Sequence, residues 1–121
     1  MEKILIVEDQ LEVQKLLEML LRGEGRQLQL TESGEEAVKM AQEFLPDVIL
    51  LDVMLPGGMN GYEVARILKK DPATVGCAII IMTAKVQEED KVEAFDAGAD
   101  DFIGKPFRML DLKNKIARFL E

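Results

Sequence analysis

Three short apolar runs with almost no polar interruption punctuate the chain: Ile4-Leu5-Ile6-Val7, Val48-Ile49-Leu50-Leu51 and Ala78-Ile79-Ile80-Ile81-Met82. Runs of this length, rich in β-branched residues, predict strands covered on both faces. Gln27-Leu28-Gln29-Leu30 alternates polar and apolar, which predicts an edge strand with one face partly wet. Phe102-Ile103 is short and also suits an edge. The strands are therefore expected near 3–7, 27–31, 47–52, 77–83 and 101–104.

Helical periodicity fills the gaps. Val13, Leu16, Leu17, Leu20 and Leu21 recur at i, i+3, i+4, i+7 and i+8, one apolar stripe. Ser33-Gly34-Glu35-Glu36 resembles a capping box ahead of Ala37, Val38 and Ala41. Val64, Ala65 and Leu68 line a third helix that stops before Asp71-Pro72. Val92, Ala94 and Phe95 mark a fourth, closed by Gly98. Leu112, Ile116, Phe119 and Leu120 mark the last. Strands alternating with helices in this way imply an α/β domain, (βα)5, with a doubly wound parallel five-stranded sheet. Right-handed crossovers and the two edge-like strands favour the flavodoxin-like order 2-1-3-4-5. Residues 1–121 are expected to form one domain, as the length suggests.

The polar residues that end these strands carry the chemistry. In a parallel sheet all the carboxyl ends lie on one edge, and ligands bind there, near the switch point between the first and third strands. Glu8-Asp9 and Asp52 end those two strands, Thr83 ends the fourth, and Lys105 follows the fifth, just before Pro106. Oxygen ligands from three carboxylates suit a hard divalent cation, Mg²⁺ with Mn²⁺ as the alternative. A hydroxyl and an ammonium beside them suit a phosphoryl group. Taken singly, each has an ordinary explanation: an acidic loop edge, a strand-end threonine bonded to backbone, a solvated lysine. The set at successive strand ends favours a site.

Composition narrows the choices. The chain contains no histidine, which removes Ser-His-Asp catalysis and His-ligated zinc. One cysteine, Cys77, excludes an internal disulfide and reads as a small core residue. A net charge of −8 argues against nucleic-acid binding by this chain. No apolar run approaches the ~18 residues of a membrane span. Met1-Glu2-Lys3-Ile4 enters the first strand at once, so no secretory signal and a cytoplasmic location are expected.

Glu8-Asp9, Asp52-x-Met54-x-Pro56, Thr83-Ala84 and Gly98-Ala99-Asp100-Asp101-Phe102-Ile103-Gly104-Lys105-Pro106-Phe107 together resemble the receiver domain of two-component response regulators, over essentially the whole chain. The resemblance implies a signalling module rather than a turnover enzyme. Asp52 would be the phosphoacceptor, taking its phosphoryl group from a histidine kinase or histidine phosphotransfer protein. Asp9, Asp52 and the backbone carbonyl of Met54 would hold Mg²⁺, with Glu8 helping directly or through water. Lys105 would pair with Asp52 and bind phosphoryl oxygens. Thr83 and the Ala84 N–H would bind the phosphoryl group, and Phe102 would be the switch aromatic. The altered face of the fourth helix, fifth strand and fifth helix would meet a downstream protein or a fused output domain, and phosphorylation-linked homodimerisation is compatible with it.

The chain departs from the family pattern at three places. Pro56-Gly57-Gly58-Met59-Asn60-Gly61 is one residue longer than the usual Pro-Gly-x-x-Gly, Gln10 stands where a further acid is common, and Phe102 replaces a frequent tyrosine. Met54 and Lys85 flank the phosphoryl position and are expected to tune its lifetime. Three other readings compete. An aspartyl-phosphate phosphatase of the haloacid-dehalogenase type wants Asp-x-Asp, and here Asp52-Val53-Met54 lacks the second acid. A flavin-binding protein wants a Ser/Thr/Gly-rich loop after the first strand, where this chain has Glu8-Asp9-Gln10-Leu11. A degenerate, partner-binding receiver would not need the intact set Asp9, Asp52, Thr83 and Lys105. Glu121 closes the last helical pattern, so a single-domain regulator and a piece of a longer protein both fit.

Overall fold

Strand β1 (Glu2–Val7) opens a strict alternation: α1 (Leu11–Leu21), β2 (Arg26–Thr31), α2 (Gly34–Phe44), β3 (Val48–Asp52), α3 (Gly61–Lys70), β4 (Ala78–Thr83), α4 (Glu88–Asp96), β5 (Asp101–Gly104) and α5 (Met109–Ala117). The structure, a computed structural model, describes residues 2–23, 25–84 and 86–120. Lys85, expected to tune the phosphoryl lifetime, lies outside them, as do Met1 and Glu121. Among the described residues the strands form one parallel sheet in the order β2-β1-β3-β4-β5, with β2 and β5 at the edges.

The two-residue period of the strands divides the core. Leu5, Val7, Ile49, Leu51, Ile79 and Ile81 face α2 and α3, packing with Ala37, Ala41, Val64, Ala65 and Leu68. Ile4, Ile6, Val48, Leu50, Ile80 and Met82 face α1 and α5, packing with Leu17, Leu21, Leu112 and Ile116. All of these strand residues are fully buried. Each such Leu or Ile contributes about 1.5–3 kcal/mol relative to exposure, which is why the β1, β3 and β4 runs tolerate no polar residue. Cys77 is buried at the foot of β4, a core residue as expected.

Some of the expected faces differ. Leu16 is exposed, because the α1 stripe turns inward through Leu17 and Leu21 with Val13 and Leu20 at its margins. In α4 only Ala94 is buried, and Val92 and Phe95 face outward. A nine-residue helix lying against an edge strand has little sheet to cover, so its larger apolar residues are left in solvent. Phe119 and Leu120 lie beyond the end of α5 yet pack on the same core. Ser33 caps α2 by accepting the Glu36 N–H at 3.2 Å. The reciprocal capping box occurs instead at α3, where Asn60 Oδ1 accepts the Glu63 N–H at 3.0 Å and Glu63 Oε1 accepts the Asn60 N–H at 3.1 Å.

Candidate phosphoryl and metal site

Register alone brings the polar strand ends together. Val7 lies beside Leu51 and Asp52 beside Met82, so Glu8, the next residue of β1, emerges next to Asp52. Thr83 lies beside Gly104, so Lys105 leaves the sheet one step further along the same edge. Backbone bonds continue the pattern: the Glu8 N–H donates to the Thr31 carbonyl at 3.0 Å and the Lys105 N–H to the Thr83 carbonyl at 2.7 Å. The Lys105–Pro106 peptide is cis.

Glu8 is fully buried and Asp52 is 5% exposed, while Asp9 keeps access to solvent. One carboxylate oxygen from each of these three residues lies within 4.8 Å of the others. Lys105 Nζ contacts Glu8 Oε1 at 2.7 Å and Asp52 Oδ1 at 3.4 Å, so it bridges the acids but sits closer to Glu8 than to its expected partner. The second oxygen of Glu8 accepts the Gln10 N–H at 3.2 Å. Three carboxylates facing one ammonium leave a negative excess in a weakly hydrated place, and that donor set fits a hard divalent cation. Burial, and then the negative charge of Glu8, raise the Asp52 carboxyl from its ordinary 3.8 to about 6, against the opposing pull of Lys105.

The remaining expected residues line the same edge. Thr83 is 2% exposed at the tip of β4, followed by exposed Ala84. The Met54 side chain stands 65% exposed at the rim. Phe102, on β5, is half-buried and packs on the core formed with α2 and α3. The site also uses residues that the strand-end argument did not single out. The Gln14 side-chain amide donates to the Glu8 carbonyl from the first turns of α1. Gly61 lies so close under Asp52 that an added Cβ would be 2.3 Å from the Asp52 carbonyl oxygen. The signal for Gly61 was present in Asn60-Gly61-x-Glu63, a helix start whose cap leaves the next residue against the preceding strand; a lone Gln14 carries no such mark.

The family model for the response regulator receiver domain matches residues 4–117. The DNA-binding response regulator MtrA of Mycobacterium leprae is 39% identical over 115 residues, 95% of this chain and 49% of that protein. The transcriptional regulatory protein ResD of Bacillus subtilis is 43% identical over 105 residues, 87% of this chain and 42% of that protein. The chain thus spans about half the length of these relatives. Among solved structures, a putative response regulator from Chloroflexus aurantiacus superposes with a TM-score of 0.91 at 35% identity, covering 98% of this chain and 97% of that one. The receiver domain of the sensor histidine kinase PA1611 from Pseudomonas aeruginosa, which has a magnesium ion coordinated in its active site cleft, superposes at 0.88 with 31% identity over 98% of this chain and 96% of that one. Fold and strand order agree with these likenesses, and the chain belongs to the response regulator receiver domain family.

Proposed function

We propose that this chain is an active, phospho-accepting receiver whose acceptor is Asp52. The observation that carries the reading is the seating of Asp52: nearly buried at the end of β3, within reach of Lys105, and grouped with Glu8 and Asp9. In the reaction an Asp52 carboxylate oxygen attacks the phosphorus of a phosphohistidine on a partner protein. The O–P bond forms, the N–P bond breaks, and the imidazole nitrogen leaves with the bonding pair. Such transfers are mostly positioning and charge neutralisation. Lys105 swings from the acids to the incoming phosphoryl oxygens, and the Thr83 hydroxyl and Ala84 N–H bond the same group. Asp9, Asp52 and the Met54 carbonyl would hold Mg²⁺, or Mn²⁺ in its place, with Glu8 helping directly or through water. Such a cation would offset the negative charge of the phosphoryl oxygens.

The donor is a histidine kinase or a histidine phosphotransfer protein. An apolar hollow lined by Val13, Leu16, Ala84, Pro106 and Phe107 opens directly beside Lys105, and a helix presenting phosphohistidine fits that neighbourhood. Phosphorylated Asp52 draws Thr83 inward, Phe102 follows, and the face formed by α4, β5 and α5 changes. Val92 and Phe95 already lie exposed on it. Readout is by a downstream protein, a fused domain or a second copy of the chain, in the cytoplasm, and loss of the phosphoryl group by hydrolysis resets the switch. Incubation with acetyl phosphate, with Mg²⁺ or with chelator, tests the reading through intact mass. One added phosphoryl group that requires Mg²⁺ is expected; an unchanged mass in both conditions would favour a degenerate, partner-binding receiver.

A further inference from the structure

The loop between β3 and α3, one residue longer than the resemblance leads one to expect, has its tip held in a specific way. The loop leaves the sheet at Asp52 and returns at Gly61, whose N–H donates to the Val53 carbonyl at 2.9 Å. At its tip Gly57 adopts a φ of 89°, a left-handed conformation open to glycine at little cost. The following N–H, that of Gly58, is directed at α2, where Glu35 Oε2 accepts it at 3.3 Å. Gly34, one residue earlier, brings the same helical turn flush against the loop. An added Cβ there would lie 2.9 Å from both the Met59 carbonyl oxygen and Val64 Cγ2. Gly61 abuts the Asp52 carbonyl on the other side. Glu35 and Gly34 thus meet the loop at Gly58 and Met59, and Gly61 meets the Asp52 carbonyl where the loop returns.

We infer that Glu35 is a positioning residue for the Asp52 site: by tying down the tip of the lengthened loop, it keeps the Met54 carbonyl where the cation needs it. The inference rests on the functional reading above, in which that carbonyl is a ligand. Two adjacent glycines give the tip more conformational freedom than any other residue pair would. The Met54 side chain is mostly in solvent; Val53 before it is buried, and Leu55 and Met59 pack on the core, so the stretch left to Glu35 is the tip between them. The charge-assisted bond from Gly58 to Glu35 selects one course for the segment. Without it the tip between core-packed Leu55 and Met59 spreads over several courses, and apparent metal affinity falls by the fraction of time the competent one is lost.

The test compares wild type with Glu35→Ala and Glu35→Gln. Glutamine keeps an acceptor oxygen while removing the charge, which separates anchoring from long-range electrostatics. Three quantities are read: Mg²⁺ affinity by calorimetry, amide exchange of Gly58 in metal-free protein, and the initial rate of phosphorylation by acetyl phosphate. Glu35→Ala is expected to weaken Mg²⁺ roughly three- to tenfold and to speed Gly58 exchange, at unchanged melting temperature. The phosphorylation rate should fall in step at low Mg²⁺ and recover when Mg²⁺ saturates. Glu35→Gln should stay within about twofold of wild type. Wild-type affinity and exchange in Glu35→Ala would overturn the inference, as would an equal loss in Glu35→Gln or a loss that tracks melting temperature. If wild type takes up no phosphoryl group, the functional reading fails separately, and affinity and exchange still judge the anchor.

Discussion

Asp52→Asn should stabilise the metal-free protein, with a pH dependence that the burial of Asp52 dictates. Asp52 is 5% exposed beside fully buried Glu8, and its carboxyl is raised from 3.8 to about 6. A raised acid destabilises the fold when ionised. The cost is absent well below the unfolded value, grows as pH climbs between 3.8 and about 6, and is complete above that. The difference of about two units corresponds to about 3 kcal/mol at about pH 8, and to about half of that at about pH 5. Asparagine is nearly isosteric and removes the charge, while Lys105 keeps its shorter contact with Glu8 at 2.7 Å. At roughly 3–5 °C per kcal/mol for a domain of this size, the melting temperature with chelator present should rise by about 9–15 °C near pH 8. The gain should shrink near pH 5, and saturating Mg²⁺ should narrow it by stabilising wild type alone. Thermal melts followed by circular dichroism read all three conditions. A variant less stable than wild type near pH 8, or a gain that ignores pH, would refute the argument that Asp52 is held in an environment hostile to its charge.

Three further substitutions probe the same framework. Gly61→Ala places a Cβ 2.3 Å from the Asp52 carbonyl oxygen and 2.9 Å from Val53 Cα, both backbone, so it should cost about 1–3 kcal/mol or more in chemical denaturation and impair phosphorylation; wild-type values would mean the contact relaxes freely. Lys105→Ala strands Glu8 and Asp52 without their cation, which should cost about 3–5 kcal/mol in the metal-free state while leaving Mg²⁺ binding largely intact and uncoupling phosphorylation from partner affinity; normal coupling would demote Lys105 to a charge-balancing role. The Tyr62 hydroxyl is buried with no hydrogen-bond partner among the described residues, so Tyr62→Phe should be neutral or stabilising by up to about 1–2 kcal/mol; a clear loss on urea unfolding would reveal a bond to that hydroxyl.

The features legible in the sequence are those governed by local periodicity. The apolar runs of β1, β3 and β4 announce strands covered on both faces because they are short, continuous and rich in β-branched residues. Once the sheet is parallel, the polar residues that terminate the runs must share an edge, and that is why Glu8, Asp9, Asp52, Thr83 and Lys105 could be grouped before any coordinates. What the sequence did not disclose depends on how elements meet. Val92 and Phe95 look like a core stripe, but α4 covers an edge strand and turns them outward. Lys105 could be placed at the site, yet whether it sits nearer Glu8, at 2.7 Å, or Asp52, at 3.4 Å, depends on side-chain geometry that no sequence pattern encodes. Ser33 and Asn60 both look like caps, and only Asn60 has its reciprocal acid oriented to complete the box. Glu35 and Gly58 are 23 residues apart, and no periodic signal links a helix's first turn to the tip of a distant loop.

The most direct test of the central claim is to locate the phosphoryl group chemically. The protein would be phosphorylated in Mg²⁺, reduced with borohydride, which converts an aspartyl phosphate to homoserine, and mapped by peptide mass spectrometry. The account predicts homoserine at position 52 alone and none when chelator replaces Mg²⁺. Homoserine at Asp9 or another acid, or a stable phosphoryl group on a hydroxyl such as Thr83, would contradict it.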